Sequence, residues 1–471
     1  MQDLKHLSQK KTTSGFTFFG FGSRNKRFKP AGGPARPSIS LPTGKHLRQL
    51  KLALLFIAIV LALAPLCVLA LRQTESAGVH VRGWIASFST VAPKPAEAVK
   101  KSRFESASDL LASAEVNGST ISARTPDGLQ HIYTIQSGLQ QRVHDFLAKN
   151  QVPYGVFVAV EPSTGRILGM TAYSSVDPDW AKGSAYDLYP MASLFKIITA
   201  SAALENHKIT PDSVIEFRGG SYSENPRYWD ASPRGKNNRM DVSHAMGKSI
   251  NPVYGRVASD IAGKSFVMES VSRFGFNQKL LPGTPAKPSQ AGEPVNNHDL
   301  RLMGAGLDHD VKISPLHAAV IMSAIANGGI MMAPGLTSSV VDGQGIEKET
   351  FTPHELRRLV TSETSASLTQ MLSKTVLTGT SRKAFHDRRG RPLINVSIAA
   401  KTGAIDGTDP NYRRHRSQGA LFMVCSLCAD TESSHRTGSA GYQSRQMENQ
   451  GVSGWRAGFG RVFQEIGGLT G

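Results

Sequence analysis

Hydrophobic and polar positions keep distinct periods along most of this chain, and the periods predict its elements. Residues 52–71, LALLFIAIVLALAPLCVLAL, form an apolar run with no charge or amide; as a helix it is about 30 Å long, one bilayer core. Pro65 is compatible with such a span. Further on, GLQHIYTIQ alternates and predicts a strand, while LQQRVHDFLAKN places Leu139, Val143, Phe146 and Leu147 on one helical face. The apolar run VPYGVFVAVEP, the turn STG and the run RILGMTAYSS predict a two-stranded hairpin packed on that helix. Helices are predicted at MASLFKIITASAALE, MDVSHAMGKSINPVYGRVASDIA, ISPLHAAVIMSAIANGG and SASLTQMLSKTVL, with a further strand, LINVSIAAKTG, after them. A hairpin, then helices, then another strand predict an α+β arrangement: a sheet flanked by helices with a helical lobe, rather than a regular βαβ winding.

Charge changes the picture at the N-terminus. Lys plus Arg outnumber Asp plus Glu by 54 − 36 = 18. Residues 1–51 hold eleven of the basic residues and one acid, Asp3, so ten of those eighteen surplus charges lie in this tail. A basic tail before an apolar run reads as a cytoplasmic segment ahead of a transmembrane signal anchor, with the rest of the chain outside. The leader is too long for a cleavable signal peptide. The expected division is therefore a basic cytoplasmic tail at 1–51, a single span at 52–71, a juxtamembrane linker or short pedestal at 72–125 with a short helix near 105–114, and a large external domain at 126–471. Topology and anionic lipid account for the basic charge, and no nucleic-acid partner is expected. Three cysteines, Cys67, Cys425 and Cys428, are too few for a disulfide framework in a chain of this size. Cys425 and Cys428 fall in a predicted strand, where residues three apart face opposite sides, so they are expected to be separate thiols rather than a redox pair.

Candidate chemistry begins at YPMASLFK. Ser193 and Lys196 stand three apart near a predicted helix start, where hydroxyl and amine can share a proton. Such a serine becomes a nucleophile if burial or a neighbouring cation lowers the lysine pKa. Ser-x-x-Lys occurs also at Ser8 and Ser23, both in the tail. Two further elements single out Ser193: Lys401-Thr402-Gly403 at the end of a predicted strand, and Ser249-Ile250-Asn251 after a helical segment. Ser-x-Asn also occurs at Ser23 and at Ser223, the latter in a loop rich in Pro and Arg.

Ser-x-x-Lys, Ser-x-Asn and Lys-Thr-Gly in this order resemble the penicillin-binding proteins and serine β-lactamases. The resemblance extends to VFVAVEPSTGRILGMTAYSSVDP and VKISPLHAAVIMSAIANGGIMMAP, and covers roughly residues 126–430. It implies the family's antiparallel sheet flanked by helices and a serine acyltransferase of peptidoglycan cross-linking, a D,D-transpeptidase that also reacts covalently with penicillin. In that reading Ser193 is the acylated nucleophile, Lys196 its proton acceptor and Ser249 a shuttle to the leaving amine. Asn251 holds the substrate amide, Lys401 tunes the site, Thr402 binds the terminal carboxylate beside Gly403, and the N–H groups of Ser193 and Ala404 form the oxyanion hole. The implied partners are peptidoglycan stem peptides, β-lactams, the membrane and a membrane-embedded glycan polymerase. No metal or other cofactor is called for.

Within the resemblance, a class A β-lactamase is disfavoured because the nearest candidate for its deacylating carboxylate, Glu269, is followed by Ser-Val-Ser-Arg rather than leading to an Asn. The short segment before the domain leaves no room for a glycosyltransferase, which points to a monofunctional, class B-like enzyme. A D,D-carboxypeptidase, and a sensor or scaffold without turnover, are the alternatives. Two departures stand out. Ala404 replaces the hydroxyl residue often found after Lys-Thr-Gly, and residues 431–471 form an atypical tail. In that tail 431–454 is rich in Ser, Gly and Gln, which leaves open whether one edge strand of the sheet is missing, replaced or shifted, while Trp455, Phe459, Val462, Phe463 and Ile466 fall at helical spacing.

Overall fold

The computed structural model describes residues 101–393 and 397–404 together with the backbone of strands at 406–407, 419–429 and 437–444. The chain divides into two units, Met1–Ala98 and Val99–Gly471. The tail at 1–51, the apolar run at 52–71 and the helical spacing at 455–466 lie outside the described residues. Among the described residues no helix is long and apolar enough to cross a membrane.

The central sheet runs Ser397–Gly403, Gly419–Ala429, Thr437–Ser444, Tyr154–Val160, Ile167–Tyr173, with every neighbouring pair antiparallel. The predicted hairpin is its Tyr154–Val160 and Ile167–Tyr173 pair. Both faces of this sheet are covered, which explains why VFVAV reads as a continuous apolar run rather than an alternating one. Val156, Val158 and Val160 enter the main core, while Phe157 and Ala159 point the other way and pack with Leu139, Val143 and Leu147 of the helix Ser137–Lys149. On the main-core side lies the helix Pro315–Ala326, buried along its whole length. The Ser314 side chain accepts from His317 N–H at its start, and Pro315 occupies a first-turn position where its missing N–H costs nothing.

Of the alternatives left open for the tail, Thr437–Ser444 supplies a strand of the sheet. This Ser- and Gly-rich segment lies inside the sheet, paired on one side with Gly419–Ala429 and on the other with Tyr154–Val160. A second sheet, ordered Glu115–Asn117, Thr120–Arg124, Gln130–Tyr133, Thr337–Val341, Glu347–Thr350, joins residues on both sides of the expected boundary at 125. The segment read as linker contributes to it two strands, preceded by the helix Arg103–Leu110, which a Ser102–Glu105 capping box starts.

The predicted continuous helix over 240–262 is instead three pieces: Val242–Lys248, Asn251–Arg256 and a π-helical turn at Val257–Ala262. The break comes at Ser249, whose backbone is left-handed at φ 58, ψ 45. With Lys196–Glu205, Lys264–Arg273 and Asn297–Ala305 these make the helical lobe. The site lies between this lobe and the edge strand Ser397–Gly403.

Candidate active site

Ser193 is presented by a strained turn. A two-residue strand, Tyr189–Pro190, pairs with Lys312–Ile313, and the next amide, Met191 N–H, donates to Val311 O. Ala192 then turns at φ 52; a left-handed residue with a side chain costs about 1–2 kcal/mol. The chain continues as a 3-10 turn, Ala192–Phe195, into the helix Lys196–Glu205. Behind the turn sits Gly306, left-handed at φ 72 as the C-cap of the helix Asn297–Ala305. A Cβ there would lie 2.2 Å from Ala192 O, so only glycine lets this helix end support the Ser193 turn at such close range.

Lys196 is fully buried, with Nζ 2.7 Å from Ser193 Oγ. The same nitrogen donates to Asn251 Oδ1 at 2.9 Å and to the carbonyl of Ala305. These partners define its protonation chemistry. As an ammonium, Nζ donates to all three oxygens, Ser193 Oγ included; as a neutral amine, its two N–H bonds go to Asn251 Oδ1 and Ala305 O, which can only accept, and its lone pair is left for the Ser193 hydroxyl. Burial, reinforced by the positive charge of Lys401, holds the Lys196 pKa well below that of a free lysine.

Lys401 is likewise fully buried, on the strand Ser397–Gly403, and Nζ donates to Ser249 Oγ at 2.9 Å and to Thr402 O at 2.7 Å. Because Ser249 Oγ accepts from Lys401, its own O–H is left to donate elsewhere. Asn251 opens the next helix; its N–H donates to Ser221 O at 3.0 Å and its Nδ2 to Ser223 O at 3.5 Å. The structure thus links Ser193, Lys196, Asn251, Ser249, Lys401 and Thr402 in one neighbourhood. Thr402 is half-buried, Gly403 is buried against Met191 and Ala192, and Ala404 is exposed just beyond the strand. Glu269 lies instead on the helix Lys264–Arg273, paired with Arg273 at 2.9 Å.

Three contributors were not legible in the motifs. The Ala305 carbonyl and the Ser221–Ser223 backbone act through main-chain oxygens, which any residue carries. Thr380, whose hydroxyl oxygen is 2.6 Å from that of Thr402, follows a Gly in a turn and belongs to none of the motifs. The Ser223 Ser-x-Asn serves the site after all, through its carbonyl rather than its side chains. Cys425 pairs in register with Lys401 and Cys428 with Ile398; their side chains lie outside the described residues.

Residues 155–425 match the family model described as penicillin binding protein transpeptidase domain. The peptidoglycan D,D-transpeptidase PbpA of Mycobacterium tuberculosis strain H37Rv is 29% identical over 339 residues, spanning 64% of this chain and 65% of that protein. Among solved structures, PBPA from M. tuberculosis superposes with a TM-score of 0.56 at 23% identity, covering 72% of this chain and 80% of that one. Its penicillin G acyl-enzyme complex gives 0.54 at 23% identity, with the same coverage.

Proposed function

The chain belongs to the penicillin-binding protein transpeptidase family, and from that premise we propose that it is a serine D,D-transpeptidase of peptidoglycan, acylated at Ser193. The observation that carries this reading is the set of partners around Lys196 Nζ. Two obligate acceptors, Asn251 Oδ1 and Ala305 O, and one hydroxyl, Ser193, surround a buried amine whose pKa is lowered. That is the environment a serine needs to give up its proton without a histidine.

In this mechanism Ser193 Oγ attacks the carbonyl carbon of the penultimate D-Ala while its proton passes to Lys196 Nζ. The tetrahedral intermediate is stabilised by the backbone N–H groups of Ser193 and Ala404. Collapse breaks the C–N bond. The leaving D-Ala takes a proton from Ser249 O–H, which Lys401 orients, and Ser249 is reprotonated from Lys196. The acyl group then passes from Ser193 to the amine of a second stem peptide, with the same groups moving the proton in reverse. Penicillin follows the first half of this path, and its ring-opened acyl group stays on the serine. Asn251 holds the substrate amide, and Thr402 the terminal carboxylate. The relatives' names, peptidoglycan D,D-transpeptidase and a penicillin G acyl-enzyme complex, support both substrate classes.

The tail and apolar run support an inner-membrane, single-pass arrangement with the catalytic domain outside, where its substrate is and where a glycan polymerase would meet it. The test of the catalytic reading is covalent labelling of the full-length chain by a fluorescent penicillin. Ser193→Ala abolishes the label and, because one hydrogen bond is worth about 1 kcal/mol, leaves the melting temperature within a few degrees. A Ser193→Ala protein that still labels would sink the assignment.

A further inference from the structure

Thr380 and Thr402 are 22 residues apart on different elements, yet their hydroxyl oxygens are 2.6 Å apart. Thr380 lies in the turn between the helices Ser362–Leu377 and Arg382–Phe385, and that turn is held tightly. The Thr380 N–H donates to Gly247 O at 3.0 Å. A Cβ on Gly379 would lie 2.0 Å from the same carbonyl oxygen, and one on Gly247 would lie 2.7 Å from the carbonyl carbon of Lys374. Gly247 is two residues before Ser249. One turn therefore ties the helix end carrying Ser249 to the strand end carrying Thr402.

Thr402 is held at both ends. Its carbonyl accepts from Lys401 Nζ at 2.7 Å, and its hydroxyl meets that of Thr380. Each of these two hydroxyls has one proton, and which way they point decides what the site offers an anion. If Thr402 donated to Thr380, it would present only lone pairs to an incoming carboxylate. If Thr380 donates to Thr402, the Thr402 proton is free for the ligand. Ala404, exposed at the end of the same strand, has no hydroxyl to share the task.

We propose that Thr380 is a positioning residue for carboxylate recognition: it donates to Thr402 Oγ1 and so aims the Thr402 O–H, the one strand-end hydroxyl left by Ala404, at the substrate carboxylate. This rests on the acyltransferase reading above. Acting only through Thr402, Thr380 affects ligands that carry the carboxylate and spares those that do not.

The test uses the full-length protein and two acylating probes, benzylpenicillin and its methyl ester, compared by second-order acylation rate. Thr380→Val slows the acid by about three- to tenfold, the size of one neutral hydrogen bond, and changes the ester by less than about twofold. Thr380→Ser, which keeps the hydroxyl, behaves as the unaltered protein, and Ala404→Thr added to Thr380→Val restores much of the lost rate with the acid. The acid-to-ester ratio is measured on one preparation, so any loss of folded protein cancels. Equal slowing of both probes would show a merely structural role and overturn the proposal, as would no slowing of either. If the unaltered protein fails to react with benzylpenicillin at all, the acyltransferase reading falls, and this inference with it.

Discussion

At the scale of single residues, the site is organised around two buried lysines. In the proposed mechanism Lys196 must be neutral to accept the Ser193 proton, and two causes lower its pKa toward that form, first its removal from water and second the charge of Lys401. The acylation rate should therefore rise with pH along the neutral fraction of Lys196, with its midpoint well below the ordinary lysine value. Replacing Lys401 by Met removes the second cause while leaving the first. The rising limb then moves to higher pH in whatever activity remains, because a neighbouring cation can only disfavour protonation. Rates of penicillin acylation across pH for both proteins check this, and a limb that stays in place or moves down would refute the coupling. The six residues linked here, Ser193, Lys196, Ser249, Asn251, Lys401 and Thr402, were legible because each belongs to a short motif whose residue types are needed for the chemistry. Ala305 and Thr380 were not. One acts through a backbone oxygen, and the other is a common residue 22 positions from its partner, a relation that only folding creates.

At the scale of elements, the informative disagreement is the helix expected over 240–262. Apolar periodicity continues across Ser249 because the residues on both sides pack into the same core; Ala245, Met246, Ile250 and Val253 are all buried. Periodicity records which side is buried and carries no information about a single left-handed residue. That residue places the serine. At φ 58 it closes the helix Val242–Lys248, its N–H donating to Met246 O and the next N–H to Ala245 O, and turns its hydroxyl to Lys401. Ser249→Gly and Ser249→Ala both delete the hydroxyl and should suppress acylation alike. They differ in backbone cost, since glycine adopts this conformation freely and alanine does not. The glycine variant is expected to be more stable by about 1 kcal/mol, measured by urea or thermal unfolding. Equal stabilities would mean that the left-handed turn is not retained. The helix Asn297–Ala305 went unpredicted although its signals were present: Asn296, whose side chain accepts from Asp299 N–H, starts it, and Gly306 ends it.

For the whole molecule, hydrophobic pattern sufficed for strands whose sequence is rich in large apolar residues and failed for one whose sequence is not. Tyr154–Val160 was read as a strand because Val156, Phe157, Val158 and Val160 are buried in it. Thr437–Ser444, sequence TGSAGYQS, pairs with that strand along its length, yet it has a single aromatic residue and no aliphatic one beyond alanine. Its place in the sheet comes from backbone pairing on both edges, which no periodicity announces. The proposed membrane arrangement rests on charge rather than on fold. Eleven basic residues and one acid precede the uncharged run at 52–71, and positive charge next to a span is retained on the cytoplasmic side. Placing the residues after Arg72 outside gives a peptidoglycan acyltransferase access to its substrate; the opposite orientation would leave the same site without one. Protease added to intact spheroplasts should therefore degrade the chain beyond Arg72 and spare an epitope placed in the first fifty residues. Exchanging the eleven Lys and Arg residues of the tail for Gln should weaken that bias, so that part of the population becomes protected and loses penicillin labelling in proportion. Protection of the large domain in the unaltered protein would reverse the topology and remove the site from its proposed substrate.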